Sequence, residues 1–279
     1  MKKLYAVLGD PIGHSMSPVM HNDLFSFYNI DAYYLPFQVK SEDLREAVKG
    51  LKTLGVGGFN VTVPHKSTII PFLDEVDDLA ANIGAVNTVV NKDGKLIGYN
   101  TDGPGFLRGL QTNLSSLEDK NVLIIGAGGA ARAIYFTLAK EQPSCIDITN
   151  RTSEKAESMI DACPYAISST ARTMAEAGKQ LEEYDLIIQT TMVGMSPRTS
   201  EQPLELTNMR KGTMVCDIIY NPLTTQFLHD ANEKGAITQN GIDMFVYQGA
   251  LAFEKWTGIL PDTQRMRESV LTQLGGKTC

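Results

Sequence analysis

Residues 122–125, Val-Leu-Ile-Ile, followed by Gly126-Ala127-Gly128-Gly129-Ala130-Ala131, confine this chain to few folds. Four branched apolar residues make a short buried strand, the glycines a turn without Cβ atoms, and the alanines a helix start. Gly126, Gly128 and Ala131 fill the spacing G-x-G-x-x-G/A, which brings backbone close to an anion and aims helix N–H groups at it. A glycine triplet alone is weak evidence. Here it stands between strand and helix, and a second strand, Cys145–Thr149, ends about 24 residues on. That is the start of a doubly wound, Rossmann-type unit built to hold a dinucleotide's pyrophosphate.

The same alternation of short apolar runs and helical patterns fills the chain. Residues 4–8 read as a buried strand. Ser17-Pro18 suits an N-cap followed by proline at the first helical position of a helix over 19–28. Residues 32–38 are a strand, 41–54 a helix opened by Ser41, and 57–63 a strand ended by Pro64. Residues 73–82 look helical. Strands over 86–91 and 95–99 flank Lys92-Asp93-Gly94, a hairpin signal. Residues 98–109, rich in Gly, Pro and Asp, mark a domain boundary. Beyond it come helices over 130–140 and 153–162 and strands over 185–189 and 213–217. Helices over 244–257 and 262–274 have no strand partner and are expected to return to the first domain. The expected architecture is α/β in three parts. An N-terminal α/β substrate-binding and catalytic domain covers residues 1–103, a Rossmann-type dinucleotide-binding domain 104–241, and returning C-terminal helices 242–279.

The 279 residues are 43% apolar and 20% charged, which suits a folded globular chain. A net charge of −7 argues against a nucleic-acid partner, so an anionic ligand must be held by a few local groups. The apolar run after Met1-Lys2-Lys3 ends at Asp10-Pro11, too short for a secretory signal, and no run of about 18 apolar residues suggests a membrane span. Cys145, Cys163, Cys216 and Cys279 form no C-x-x-C and read as reduced, structural thiols. His14, His21, His65 and His229 lack metal-ligand spacing, and no metal is expected. A cytoplasmic protein with no membrane association follows.

The end of the second strand selects the dinucleotide. An NAD site wants Asp or Glu there, for the ribose hydroxyls; this chain has Asn150-Arg151-Thr152-Ser153. Arg151 offers a planar fork to a 2′-phosphate, Thr152 a hydroxyl, and Lys155 a further cation, so the predicted cofactor is NADP. In residues 58–66 the strand period puts Asn60 and Thr62 on one face and Val61 and Val63 on the other, which packs. Lys66 follows just past the strand. Asn87 interrupts an apolar strand, and Asn100-Thr101-Asp102-Gly103 ends the next.

Gly9-Asp10-Pro11-Ile12-Gly13-His14-Ser15-Met16-Ser17-Pro18 resembles the opening motif of the shikimate dehydrogenase family. The likeness continues in order through residues 60–66, 84–88, 98–103, the glycine loop, Asn150-Arg151-Thr152, residues 217–225 and residues 241–248. It implies reversible NADPH-dependent reduction of 3-dehydroshikimate to shikimate, on the route to chorismate and the aromatic amino acids. By the family pattern Lys66 and Asp102 form the catalytic pair, and Ser15 and Ser17 hold the substrate carboxylate. Asn60, Thr62, Asn87 and Gln248 grip the ring hydroxyls, with Tyr220 close by. Gly126, Ala127, Gly128, Gly129 and Ala130 with Asn150, Arg151, Thr152 and Lys155 hold the cofactor, and Gly241 and Met244 border the nicotinamide. Residues 189–195 depart from the pattern, which leaves the cofactor contacts of Thr190, Thr191 and Met192 less defined. Two alternatives remain: a quinate/shikimate dehydrogenase with relaxed cofactor use, and a non-catalytic sensor, which is expected to lose Lys66 or Asp102. The small-molecule substrate aside, the resemblance leaves monomer and homodimer open.

Overall fold

The computed structural model describes residues 2–275. The chain divides into two compact units, residues 1–101 with 246–279, and Asp102–Phe245. The breaks fall close to the composition change at 98–109 and inside the helix that begins after Gly241. Cys279 lies outside the described residues.

The first unit opens with β1 (Lys3–Gly9), α1 (Ser17–Phe27), β2 (Ala32–Gln38) and α2 (Leu44–Thr53). It continues with β3 (Gly58–Val61), β4 (Glu75–Val76), α3 (Asp78–Ile83), β5 (Thr88–Lys92) and β6 (Lys95–Tyr99). The sheet order is β2-β1-β3-β5-β6-β4. The first three strands run parallel, and β5 is antiparallel to both β3 and β6. The hairpin signal is realised: Lys92 pairs with Lys95, and Asp93 and Gly94 take positive φ.

Other local expectations fail for identifiable reasons. Ser17 does not cap α1; it is the first helical residue, with Pro18 in the first turn. Ser41 caps nothing and opens a single 3-10 turn, Ser41–Asp43, ahead of α2. The helix over 73–82 is broken because Asp74 accepts the Leu96 N–H (2.7 Å), laying β4 along β6. Asp77 then caps a shorter α3 by accepting the Leu79 N–H (3.1 Å). β3 stops at Val61, and Val63 is exposed rather than packed.

The second unit begins with α4 (Asp102–Leu110), β7 (Asn121–Ile125), α5 (Gly129–Lys140), β8 (Cys145–Thr149) and α6 (Ser153–Asp161). There follow β9 (Ala171–Arg172), α7 (Met174–Lys179), β10 (Leu186–Gln189), β11 (Met214–Asp217), α8 (Gln226–Glu233) and β12 (Ile237–Gln239). Its six strands are all parallel in the order β12-β11-β10-β7-β8-β9. The strand order reverses at β7, the doubly wound arrangement. Most of the glycine-rich stretch 98–109, read as a domain boundary, is helical, within Asp102–Leu110. A Cβ on Gly103 would collide with the Ala133 carbonyl and the Thr137 hydroxyl, so glycine is what lets α4 lie close on α5.

The last helices are α9 (Ile242–Thr257) and α10 (Thr263–Gln273); α9 from Val246 onward and α10 complete the first unit. Trp256 Nε1 donates to the Val89 carbonyl (3.0 Å), and Arg265 forks onto Asp23 (2.6 and 2.7 Å). One face of the sheet packs Ala6, Leu8, Val48, Phe59 and Val89. The other side holds Tyr5, Phe25, Tyr34, Phe253 and Trp256, all buried, with His21 among them. The His21 ring stacks on Tyr34 at 4.6 Å, and neither ring nitrogen has a hydrogen-bond partner. Burial pushes its pKa down to about 3.

The unfolded chain takes a proton on this histidine near pH 6.5 while the folded chain does not. Stability from His21 is therefore complete above that pH and lost as pH falls toward 3, with a slope approaching about 1.4 kcal/mol per pH unit. In urea unfolding across this range, His21→Phe is expected to flatten the decline relative to wild type. Parallel curves would refute the assignment.

Candidate active site

In the first unit, polar side chains from four elements join in one buried network. The Tyr34 hydroxyl donates to Asn60 Oδ1 (2.7 Å) and is hydrogen-bonded to Ser17. Asn60 Nδ2 donates to the Asn87 carbonyl (3.1 Å) and to Thr88 Oγ1 (3.0 Å). Asn87 donates to Thr101 Oγ1 (3.0 Å) and accepts the Thr101 N–H (2.7 Å). Such a chain survives burial because each member has a partner. It brings Ser17, Asn60 and Asn87 together, and it engages the Asn60 carboxamide at both ends. Ser15 accepts the Ser17 N–H (3.3 Å).

Lys66 sits half-buried on the turn after β3, and its carbonyl accepts the Val86 N–H (2.7 Å). Thr62, at the start of this turn, accepts the His65 N–H through its carbonyl (2.9 Å). His65 is buried, and its Nε2 donates to the Val39 carbonyl (2.6 Å), which fixes the backbone beside Lys66. Gln248 lies in the part of α9 that belongs to this unit. Asp102, buried, is the first residue of α4 and opens the second unit.

In the second unit, sheet register builds the site. Ile125 pairs with Thr149 on one side and with Gln189 on the other. The next residues, Gly126, Asn150 and Thr190, therefore leave three adjacent strands level with one another. They border a cavity of about 720 Å³. The glycine turn lines it with Gly126, Ala127 and Gly128, the β8 end with Asn150, Arg151, Thr152 and Lys155, and the β10 end with Thr190, Thr191 and Met192. Gly129 and Ala130 start α5 just behind the turn.

Gly126 takes φ +116°, and a Cβ there would collide with Thr190 Oγ1, so only glycine permits this close crossing. Around Gly128 the space is open, as an approaching ligand requires. Asn150 Nδ2 donates to the Thr152 carbonyl (2.9 Å), shaping the turn that presents Arg151. Where a ribose-binding acid would stand, the exposed guanidinium of Arg151 stands instead. The donors present thus fit a phosphorylated dinucleotide.

Sequence reasoning assigned no role to Gln189, which the structure gives a clear one. Its Nε2 donates to the carbonyls of Thr191 (3.2 Å) and Val193 (3.0 Å), and its Oε1 accepts the Thr191 N–H (2.6 Å). A fully buried carboxamide thus ties down the β10 loop, while Thr190 Oγ1 donates to the Ile125 carbonyl (2.7 Å). Asp217 was also missed. It accepts the Ile219 N–H (2.9 Å) and the Thr225 hydroxyl (2.7 Å), fixing the backbone that carries Tyr220. Burial pushes its pKa up to about 6. Tyr220 packs on Phe245 (5.0 Å), one residue from Met244, and Gly241 donates to the Ile219 carbonyl (2.9 Å).

Among the described residues no helix is long and apolar enough to cross a membrane. A doubly wound sheet with a cationic glycine-turn cavity, joined to an α/β unit with a buried polar network, defines a two-domain, dinucleotide-dependent oxidoreductase. Family models agree along the chain. Residues 7–89 match the shikimate dehydrogenase substrate binding domain, 109–222 shikimate/quinate 5-dehydrogenase, and 241–271 the shikimate 5′-dehydrogenase C-terminal domain. The chain belongs to the shikimate dehydrogenase family. It is 58% identical over 277 residues to the shikimate dehydrogenase (NADP(+)) of Bacillus cereus strain AH820, covering 99% of this chain and 100% of that one. A crystal structure of a shikimate dehydrogenase in complex with NADP+ superposes with TM-score 0.91 at 40% identity, covering 98% and 96% of the two chains. The Thermus thermophilus enzyme, in complex with NADP(H) and shikimate, gives 0.88 at 34%, covering 97% and 99%.

Replacing Gln189 by Leu leaves three backbone groups of this part-buried loop without their side-chain partner. The expected cost is about 1–3 kcal/mol in chemical denaturation, with faster amide exchange over residues 190–193. An unchanged midpoint would show that the brace is dispensable.

Proposed function

We propose that this protein is an NADP-dependent shikimate dehydrogenase, reducing 3-dehydroshikimate to shikimate and running in reverse. The observation that carries the reading is joint: a chain aligned end to end with enzymes of that name retains both Lys66 and Asp102 and has Arg151 and Lys155 at its glycine-turn cavity. The full pair speaks against a sensor. The absence of a carboxylate at the β8 end speaks against a quinate enzyme with relaxed cofactor use.

Ketone reduction needs a hydride at carbon and a proton at oxygen. NADPH, when bound, supplies the hydride. Lys66, as ammonium, donates a hydrogen bond to the ketone oxygen and then its proton as negative charge develops there. In the reverse direction the neutral amine takes the proton from the hydroxyl. Asp102 orients Lys66 and shares that hydroxyl. Ser15 and Ser17 take the substrate carboxylate, and Thr62, Asn87, Tyr220 and Gln248 the ring side. Asn60 acts through its neighbours: with its carboxamide engaged by Tyr34, Asn87 and Thr88, it holds Ser17 and Asn87 in register. On the cofactor side, α5's first N–H groups with Gly126, Ala127, Gly128, Gly129 and Ala130 take the pyrophosphate. Arg151, Thr152 and Lys155 take the 2′-phosphate, with Asn150 shaping their turn. Thr190, Thr191 and Met192 border the adenosine half, and Gly241 and Met244 the nicotinamide. The free thiols of Cys145, Cys163 and Cys216 suit a reducing cytoplasm, where the protein works as a monomer or homodimer.

General acid–base help is worth roughly 10²–10⁴ in rate. Lys66→Ala is expected to lower kcat by about that factor with a modest change in KM for shikimate. An unchanged kcat would remove Lys66 from the chemistry.

A further inference from the structure

Arg198 lies on the loop between β10 and β11 and lines the same cavity as Arg151 and Lys155. These three cations border it and no carboxylate does. We propose that Arg198 is a specificity-determining residue that closes on the 2′-phosphate of the bound dinucleotide from the β10 side of the cavity. The inference deepens the NADP reading above and rests on it.

Position supports this choice of phosphate. A smaller cavity at the first turn of α5 shares Ala127, Gly128 and Lys155 with the main one; it is bordered by Arg132 but not by Arg198. Another cavity meets the main one at Met174 of α7 and at Gln202 and Pro203, the latter two on Arg198's own loop. Arg198 thus stands toward the end away from the helix N-terminus, whose N–H groups already answer the pyrophosphate. The remaining anionic group of such a ligand is the 2′-phosphate, next to Arg151 and Thr152.

Arg198 is also only weakly held in its present place. Its ion-pair partner is Glu201 at 3.6 Å, and their side chains are 66% and 45% exposed. A pair so exposed contributes little, whereas a phosphate offers several charged acceptors to a planar fork. The guanidinium exchanges one weak partner for a stronger one. The anion then meets cations from two sides, Arg151 and Lys155 from the β8 end and Arg198 from the β10 loop.

The test is calorimetric titration of wild type, Arg151→Ala, Arg198→Ala and Arg198→Lys with adenosine 2′,5′-bisphosphate and with 5′-AMP. The two ligands differ only in the 2′-phosphate, and the exposed position leaves folding intact. Arg198→Ala is expected to bind the bisphosphate about tenfold more weakly, with a shallower salt dependence and unchanged affinity for 5′-AMP. Arg198→Lys should fall between. Equal losses for both nucleotides would overturn the proposal, because they place Arg198 on the adenine or the 5′-phosphate that the two share. It is equally overturned if Arg198→Ala matches wild type while Arg151→Ala loses the bisphosphate. A wild type that does not discriminate the two nucleotides would instead refute the NADP reading, and the inference with it.

Discussion

The level alignment of Ile125, Thr149 and Gln189 across three parallel strands is the constraint on which the cofactor side depends. In a parallel sheet every strand ends on the same edge, and the reversal of order at β7 opens a crevice there. The residues that leave the sheet at that level must then be a glycine, a cation-bearing turn and a braced loop. Gly126 lets Thr190 cross it, Asn150 folds its turn beneath Arg151, and Gln189 ties the third segment to itself. None of these contacts is strong alone. Together they leave the cavity its shape before any ligand arrives, and preorganisation reduces the cost of binding.

The first unit solves a different problem. Hydroxyl and amide groups must sit near an apolar sheet without being left unpaired. The chain from Ser17 through Tyr34, Asn60 and Asn87 to Thr101 does this with side chains from α1, β2, β3, the α3–β5 connection and the β6–α4 connection. Tyr34 joins the two halves of the unit's interior, its ring stacked on His21 and its hydroxyl in the polar chain. Burial holds that hydroxyl well above the usual phenol range, so it stays a donor.

Much of this was legible in the sequence, because strand period and glycine spacing are local signals. β7, α5 and β8, the hairpin at Asp93-Gly94 and the cation at Arg151 all follow from residues close together in the chain. What escaped depends on distant partners. Residues 98–109 show only a glycine-rich composition break until α5 lies beside them and Gly103 becomes a contact. The break at Asp74 is set by β6, some twenty residues on. Gln189 departs from the family pattern, and only the folded loop shows its carboxamide turned back on residues 191 and 193. Two missed elements did carry a signal. Thr173 and Glu176 form a capping box that starts α7, and Thr225 caps α8.

The central claim is that one chain pairs a polar site that interconverts 3-dehydroshikimate and shikimate with a cavity selective for the phosphorylated dinucleotide. Following the absorbance of reduced nicotinamide in wild-type protein, with shikimate and either NADP+ or NAD+, tests both halves together. The expected result is shikimate-dependent reduction with kcat/KM favouring NADP+ by about tenfold or more. No shikimate-dependent signal, or equal rates with the two dinucleotides, would contradict the account.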